Sequence, residues 1–572
     1  MKQRFIKILI TALILSTISC YDGLNEMIDN LAMNVPICVN SVTGNDANDG
    51  RGWANALATI QAAVIAAEPG DEIWVAGNQH LNSSIILNKT LTILGGFTGS
   101  EDKKEKRDST NKSEITADNN NRISISGING VTIDAFKFTG FSGLGVFLIN
   151  DNSIVSVNNC YFDGNSMSGA GGAIIIDDYS TLKIYDSVFI GNGASGTGGK
   201  GGAIYANNSV VTIIRTRFGD KDVPSSGNTS SEGGGAIYAS GTSTVNILDN
   251  CEFYKNTTEG SGGAVYAISS TVLTVENSFF GSADENESGN KAINVTNGGG
   301  GAIYGNNQRC SFKNVKFINN KAARMGGAIN FYLIDSDGTH NVIAEISGCT
   351  FDNNELQDSA SRNGGAIYLN SPVNPEVILD NSIISNNSSI NGGGLYFVKG
   401  NVSIANTLFS GNIATTSGGA MYFASTSADN YFVNLTFYNN VAVSGGAINF
   451  NPSSSVSINM YNSAFYGNTG GTSYNILKNA NAVLSMNHSF YNGGISTSPN
   501  AEVECITANP DSPFISIDPA STSFLIPGTD LGDLGLFNKG LNTIPGFTIP
   551  STDLGGNPRK VGTIDIGCYE KQ

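Results

Sequence analysis

A small apolar phrase, Gly-Gly-Ala-Ile-Tyr, stands at 201–205, 234–238, 300–304 and 364–368. Glycine pairs followed by a small or apolar residue begin at Gly171, Gly201, Gly234, Gly262, Gly300, Gly326, Gly364, Gly393, Gly418 and Gly445. Their starts lie roughly 26 to 38 residues apart, the spacing of a repeat protein. No other feature restricts the fold as much, because every unit must turn the same corner over the same core. A second phrase, Phe-x-x-Asn, falls between the glycine pairs, at Phe162/Asn165, Phe189/Asn192, Phe253/Asn256, Phe317/Asn320, Phe351/Asn354, Phe409/Asn412, Phe437/Asn440 and Phe465/Asn468. Another Asn often precedes the Phe by three positions, as at Asn159, Asn250, Asn314 and Asn434.

One unit therefore holds about three short strands and three turns. Alternation such as Val402-x-Ile404 turns one face inward at period two. Three strands per coil, each paired with its counterpart one unit on at a rise of ~4.8 Å, make a parallel β-helix in which like residues stack on like. The Phe and Ile columns fill the interior, and the Asn columns bond along the axis as amide ladders. Paired glycines allow a corner where φ is positive or a side chain would collide. Cys160, Cys251 and Cys349 lie two before the Phe, where other units carry Ser or Thr, and read as small inward stacking residues. Irregular spacing comes from outward loops such as 281–290 and 332–341. The composition agrees: 70 Gly suit many turns, and 28 Phe, 20 Tyr and 40% hydrophobic residues supply a core that a disordered Gly/Ser chain lacks. Kelch-type propeller blades need longer units of about 50 residues.

The ends are different. Residues 1–19 carry Lys2, Arg4 and Lys7, then an apolar run and small residues before Cys20, which reads as a secretory leader. The Cys resembles the lipobox of bacterial lipoproteins, although Thr17 stands where Leu is usual. Cys20 is thus the expected lipidation site, with 20–38 as a tether. Residues 39–500 form the β-helix and 501–572 a C-terminal cap. The stretch 52–70 reads as one capping helix, with Trp53, Leu57, Ile60 and Val64 on one face and Pro69-Gly70 stopping it. The first strand is expected at 71–77.

The glycine and Phe-x-x-Asn phrases resemble the passenger repeats of polymorphic outer-membrane proteins, which are bacterial surface proteins. The stretch 39–64 is similar to the start common to pectate-lyase-like β-helices, and 553–570 to the C-terminus of choice-of-anchor Q proteins. The resemblance implies an all-β fold, a right-handed parallel β-helix with an N-terminal capping helix, and adhesin activity at the cell surface. Autotransported members end in a membrane β-barrel, whose run of amphipathic strands of about ten residues is not legible here. Anchorage through lipid on Cys20, at the outer membrane or cell surface, is expected instead.

Chemistry is sparse. The chain has a net charge of −17, and removing the three basic residues of the leader makes it −20, which disfavours nucleic acid as a partner. His80, His340 and His488 sit in unrelated contexts. Asp177-Asp178 is the one acidic pair at a strand end inside the repeat, and reads as a solvated turn. Asp335-x-Asp337-Gly338 looks like a piece of a calcium loop without its downstream ligands. No cofactor, metal site or catalytic residue is assigned, and a monomer is expected. The leading reading is a non-catalytic envelope lipoprotein that binds a host or neighbouring-cell protein or glycan. A polysaccharide lyase or glycoside hydrolase is the alternative, and a structural envelope spacer the second. Carboxylates stacked on adjacent coils would favour the enzyme; aromatic ladders on the outer surface would favour adhesion.

Overall fold

The structure is a computed structural model that describes residues 35–570 apart from short stretches, of which the longest are 334–341, 508–513, 517–524 and 528–535. Residues 1–19 and Cys20 lie outside the described residues, as do Asp335, Asp337, Gly338 and His340.

One turn shows how the unit folds. Ile204–Asn207 leads through a bend to Val210–Ile214, then to Arg217–Phe218, and after a loop to Thr229–Ser230. Each pairs in parallel one coil on: Ile204 with Ile237, Val211 with Val245, Phe218 with Phe253, and Thr229 with Thr257. Repetition makes a right-handed parallel β-helix. Sheet 1 contains the Val210–Ile214 strand and has 17 strands; sheet 2, with Arg217–Phe218, has 16; sheet 3, with Ile204–Asn207, has 15. These are the three expected ladders. A fourth of 12 strands, sheet 4, contains Thr229–Ser230. Most of its strands are two or three residues long, such as Thr257–Thr258 and Lys291–Ala292, too short for period-two alternation to announce them.

The interior is one continuous dry core. Its largest column follows the Phe positions from Phe162 through Phe317 and Phe351 to Ile384, Phe409, Phe437 and Phe465, and every member is fully buried. Ring centroids in it are 4.3–5.3 Å apart, close to the rise of one coil. Beside it runs an amide ladder, buried as far as Asn440 and half-buried at its end: Asn165, Asn192, Asn228, Asn256, Asn290, Asn320, Asn354, Asn387, Asn412, Asn440 and Asn468. Each Nδ2 donates to the next Oδ1 at 2.8–3.1 Å. Its second hydrogen goes to a carbonyl of the Phe column, and each Oδ1 also takes the backbone N–H of the preceding Asn, as at Asn354. Both donors and both acceptor sites of the amide are then used, which is what lets so polar a group stand at 0% exposure. Asn228 and Asn290 belong to this ladder although loops 219–227 and 281–289 separate them from their Phe.

The glycine corner has two separate needs. Gly234 has φ +62°, and Gly235 is packed so that an added Cβ would collide with the carbonyl oxygen of Gly263 in the next coil. At the triplet 392–394 the positive φ falls on Gly392, so the corner starts one residue before the expected Gly393, and Gly394 takes the Ala place. Cys160, Cys251 and Cys349 stand buried in a column shared with Ser187, Thr216 and Ser382, as expected. Burial pushes the Cys160 and Cys349 thiols up to about 12 and Cys251 to about 11.

The N-terminal end departs from the expectation in three respects. Strand Ile37–Asn40 comes first, reaching into the segment read as tether, and pairs with Glu72–Ala76. The capping helix is shorter than 52–70: a 3-10 turn at Trp53–Asn55 is followed by α1, Ile60–Ala66. Thr59 caps α1 by accepting from Ala62 N, Lys89 Nζ takes the last carbonyls, and Ile60, Ala63 and Val64 cover the open end of the core. Leu57 also reaches the core, but Trp53 packs instead on Trp74 and Phe97 outside it.

At the other end the ladders run past residue 500, with strands at Ala501–Val503 and Ile506–Thr507. The described part of the C-terminal segment, 536–570, is not an end cap. It runs back along the flank, where Arg559 and Thr552 bond Asn406, Cys568 N–H donates to Thr436, and Leu541 N–H donates to Asn462. These asparagines sit at left-handed corners between sheets 1 and 2, with φ 45° at Asn406 and 49° at Asn462, and offer amides outward that a strap can take.

Candidate functional site on the outer tyrosine face

The residue after the Ile of the glycine phrase points away from the core. In sheet 3 this makes an outer column: Tyr205, Tyr238, Tyr266, Tyr304, Asn330, Tyr368, Tyr396 and Tyr422. The rings stack at 5.6, 4.9 and 4.8 Å from Tyr205 to Tyr304, and at 5.5 and 4.7 Å from Tyr368 to Tyr422. Tyr238 and Tyr368 are buried by their neighbours and the others half-buried. Lys200 Nζ lies 5.3 Å from the Tyr238 ring centre. Burial, then the adjacent phenols, push the Tyr238, Tyr304 and Tyr368 hydroxyls up and Tyr396 to about 12, so these four are uncharged at neutral pH.

The column breaks once among its tyrosines, at Asn330. Tyr332, two residues on, leans in instead, with ring centres 6.3 Å from Tyr304 and 5.9 Å from Tyr368 and tilts of 42° and 47°. A cleft of about 360 Å³ opens there between Tyr266, Tyr304 and Tyr332, with Arg324, Met325 and Asn330 beneath. Asn330 Oδ1 and Arg324 Nε have no hydrogen-bond partner. Arg324 Nη1 donates to Thr296 O at 2.6 Å, and Tyr332 hydroxyl to Met325 Sδ at 3.7 Å. Sequence reading found the Tyr inside the glycine phrase without assigning it a surface. The signal was present: an aromatic at the outward position of successive coils.

The acidic pair assembles nothing. Asp177 and Asp178 lie in the turn after Ile174–Ile176, Asp178 at φ 52°, and Asp177 Oδ1 is used by its neighbour's N–H and by Asn207. His80 is exposed between Thr116 and Asp118, and His488 is at a corner beside Glu504, far from it in the coil order. Some outer charges of sheet 2 are paired, as where Lys137 lies 3.1 Å from Glu114 and 3.6 Å from Asp163. Among the described residues no three metal-ligating side chains cluster, in the described part of loop 281–290 or elsewhere.

The flank strap holds the densest charge. Arg559, fully buried, donates to the carbonyls of Gly567 and Cys568 and to Asn406, and pairs with Glu570 at 3.3 Å. Asp553 and Asp565 are buried beside them, each accepting a backbone N–H. Burial, with repulsion from Asp565, pushes the Glu570 carboxyl up to about 8 despite Arg559. The bonds of Arg559 run to the strap itself and to Asn406 on the flank, so the cluster reads as a clasp.

Residues 225–240 and 250–268 match the Chlamydia polymorphic membrane protein repeat. They span the glycine phrases at Gly234 and Gly262, Tyr238 and Tyr266 of the outer column, and Phe253 of the inner one. No curated protein matches the chain. Among solved structures, the crystal structure of pectate lyase Pel9A is similar at 12% identity and a TM-score of 0.20, over 95% of this chain and 98% of that one.

Proposed function

We propose that the chain is a non-catalytic, surface-exposed binding protein of the bacterial envelope, held by lipid on Cys20 and engaging a host or neighbouring cell through the outer face of sheet 3. The observation that carries the reading is the tyrosine column. Stacked, uncharged rings give a rigid amphipathic strip along several coils, and Tyr supplies contact area at little entropic cost. The repeat match at 225–268, which belongs to a membrane-protein family, supports a surface location. The resemblance of 553–570 to choice-of-anchor Q proteins fits the role of that segment as a clasp, since Asp553, Arg559, Asp565 and Glu570 are its charged core.

Three measurements test this. Beads coated with the chain adhere to cell layers, and a variant with Tyr205→Ser, Tyr396→Ser and Tyr422→Ser adheres at least fivefold less; equal adhesion would remove the tyrosine face from the function. Incubation with acidic and neutral polysaccharides yields neither unsaturated products nor new reducing ends, and turnover lost in Asp177→Asn or Asp178→Asn would make the chain an enzyme. Cys20→Ala should release the protein to the soluble fraction and abolish fatty-acid labelling.

A further inference from the structure

We infer that the break in the tyrosine column at Asn330 is a binding subsite for one pyranose unit of a neutral glycan. The inference rests on sheet 3 being the binding face, and adds the chemistry of the ligand and its place.

The geometry of the break supports a ring-shaped guest. Tyr304 and Tyr368 belong to coils two apart, with Asn330 in register between them. Tyr332 covers that level only obliquely, so the rings form a wedge and not a closed stack. The cleft beside this break, about 360 Å³ and lined by Tyr266, Tyr304 and Tyr332, lies within the ~300–1,000 Å³ of small-molecule sites. Its walls are aromatic faces and its base is polar. Asn330 lines the cleft at 2% exposure, and its Oδ1 is an acceptor without a partner. Arg324, anchored through Nη1 to Thr296 O, adds N–H donors. A pyranose has the complementary surface: an apolar face of C–H groups for the tyrosines, and a rim of hydroxyls that both give and accept hydrogen bonds.

Other guests fit less well. An anionic sugar, phosphate or sulfate would meet a single guanidinium on a chain of net charge −17. An extended peptide adding as a strand would need a free edge, but sheet 3 is paired on both sides of Ile329–Leu333. An aromatic side chain would complete the stack while leaving the Asn330 amide and the Arg324 donors unmatched.

The test uses the whole chain and four soluble probes: neutral hexaoses of gluco, manno and galacto configuration, and a hexauronate. Calorimetric titration should show at least one neutral hexaose binding with one site per chain, and the hexauronate at least tenfold more weakly. Asn330→Tyr, which fills the wedge, should weaken that binding at least tenfold. Arg324→Ala, at a more exposed position, should weaken it several-fold with an unchanged melting temperature. Absence of binding to every neutral hexaose, tighter hexauronate binding, or full affinity in Arg324→Ala would overturn the inference. Bead adhesion that still depends on the tyrosine face in such a case leaves the broader reading standing. Adhesion indifferent to that face, with hexaose bound at the cleft, does the reverse.

Discussion

The phenylalanine column of sheet 2 and the tyrosine column of sheet 3 are built by the same repeat, at the same rise, from rings of nearly the same size. They differ in how they treat an interruption. Where Phe is missing inside, Ile384 fills the level and remains fully buried between Phe351 and Phe409. Where Tyr is missing outside, Asn330 stands in, Tyr332 leans over, and a cleft opens. A core cannot leave a level empty, because an unfilled void forfeits contacts on every side. An outer face has no such requirement, since water completes whatever the side chains do not. Irregularity is therefore informative on the outside and conservative on the inside.

The largest effect should come from the inner column. Phe253→Ala removes a ring stacked at 4.7 Å on Phe218 and 4.3 Å on Phe280, and should cost ~3–5 kcal/mol. Repeat stability is nearly nearest-neighbour, so hydrogen exchange should rise in the coils around residues 210–290 and remain unchanged near 440–490. Uniform loss along the chain would mean that the columns are not locally held.

Close behind comes the amide ladder. Asn354→Ala deletes bonds to Phe317 O and Asn387 Oδ1 and leaves the Asn320 amide and N–H without their acceptor. With buried groups orphaned at ~1–3 kcal/mol each, the cost should be about 3 kcal/mol in denaturant titration. A cost below about 1 kcal/mol would indicate that water enters this corner.

These inner columns are also the part of the molecule most legible in the sequence. Phe-x-x-Asn gave both, since ring and amide must recur at a fixed offset. Asn290 was hidden because loop 281–289 breaks the offset while the chain returns to the same place. Sheet 4 was hidden because pairs such as Lys291–Ala292 carry no periodicity. The strap was misplaced to the end of the solenoid because its contacts, hydrogen bonds to Asn406, Thr436 and Asn462 and apolar packing such as Ile544 and Ile564 against Ala405 and Val433, reach far back along the chain and leave no pattern. Of the candidate site, the aromatic residues were visible but their outward direction follows only once the coil is built. The cleft depends on an exception, Asn330 for Tyr, that reads in sequence as ordinary variation.

A buried polar site with net charge shows why the ladder is made of amides. In the clasp, Glu570 has a carboxyl raised to about 8 from an ordinary 4.5. Folding therefore favours its protonated form. That contribution is complete below about pH 4.5 and is lost as pH rises through about 8. Amides at 564–570 should be better protected at pH 5 than at pH 8.5 after correction for intrinsic exchange, and Glu570→Gln should flatten the difference. The neutral ladder at Asn354 and Asn387 should show no such slope. Parallel slopes in parent and Glu570→Gln would remove Glu570 as the source of the pH dependence.

The smallest effect should come from the outer column, and its size is the sharpest form of the comparison. Tyr396 stacks on Tyr368 at 5.5 Å and on Tyr422 at 4.7 Å, nearly as closely as the inner rings do. If stacking itself held the solenoid together, Tyr396→Ala would cost as much as Phe253→Ala. Removal of Tyr396, however, leaves no sealed void, because one side of its ring already faces solvent. The loss is then limited to two ring contacts and part of one buried face, about 1–2 kcal/mol. Because the phenol pKa is about 12, the effect should not vary between pH 5 and 9. Denaturant titration at pH 5 and 9 reads both points. A cost near 4 kcal/mol would make the outer face structural and weaken its assignment to binding; a cost near 1 kcal/mol would leave the tyrosines as a surface the fold can do without.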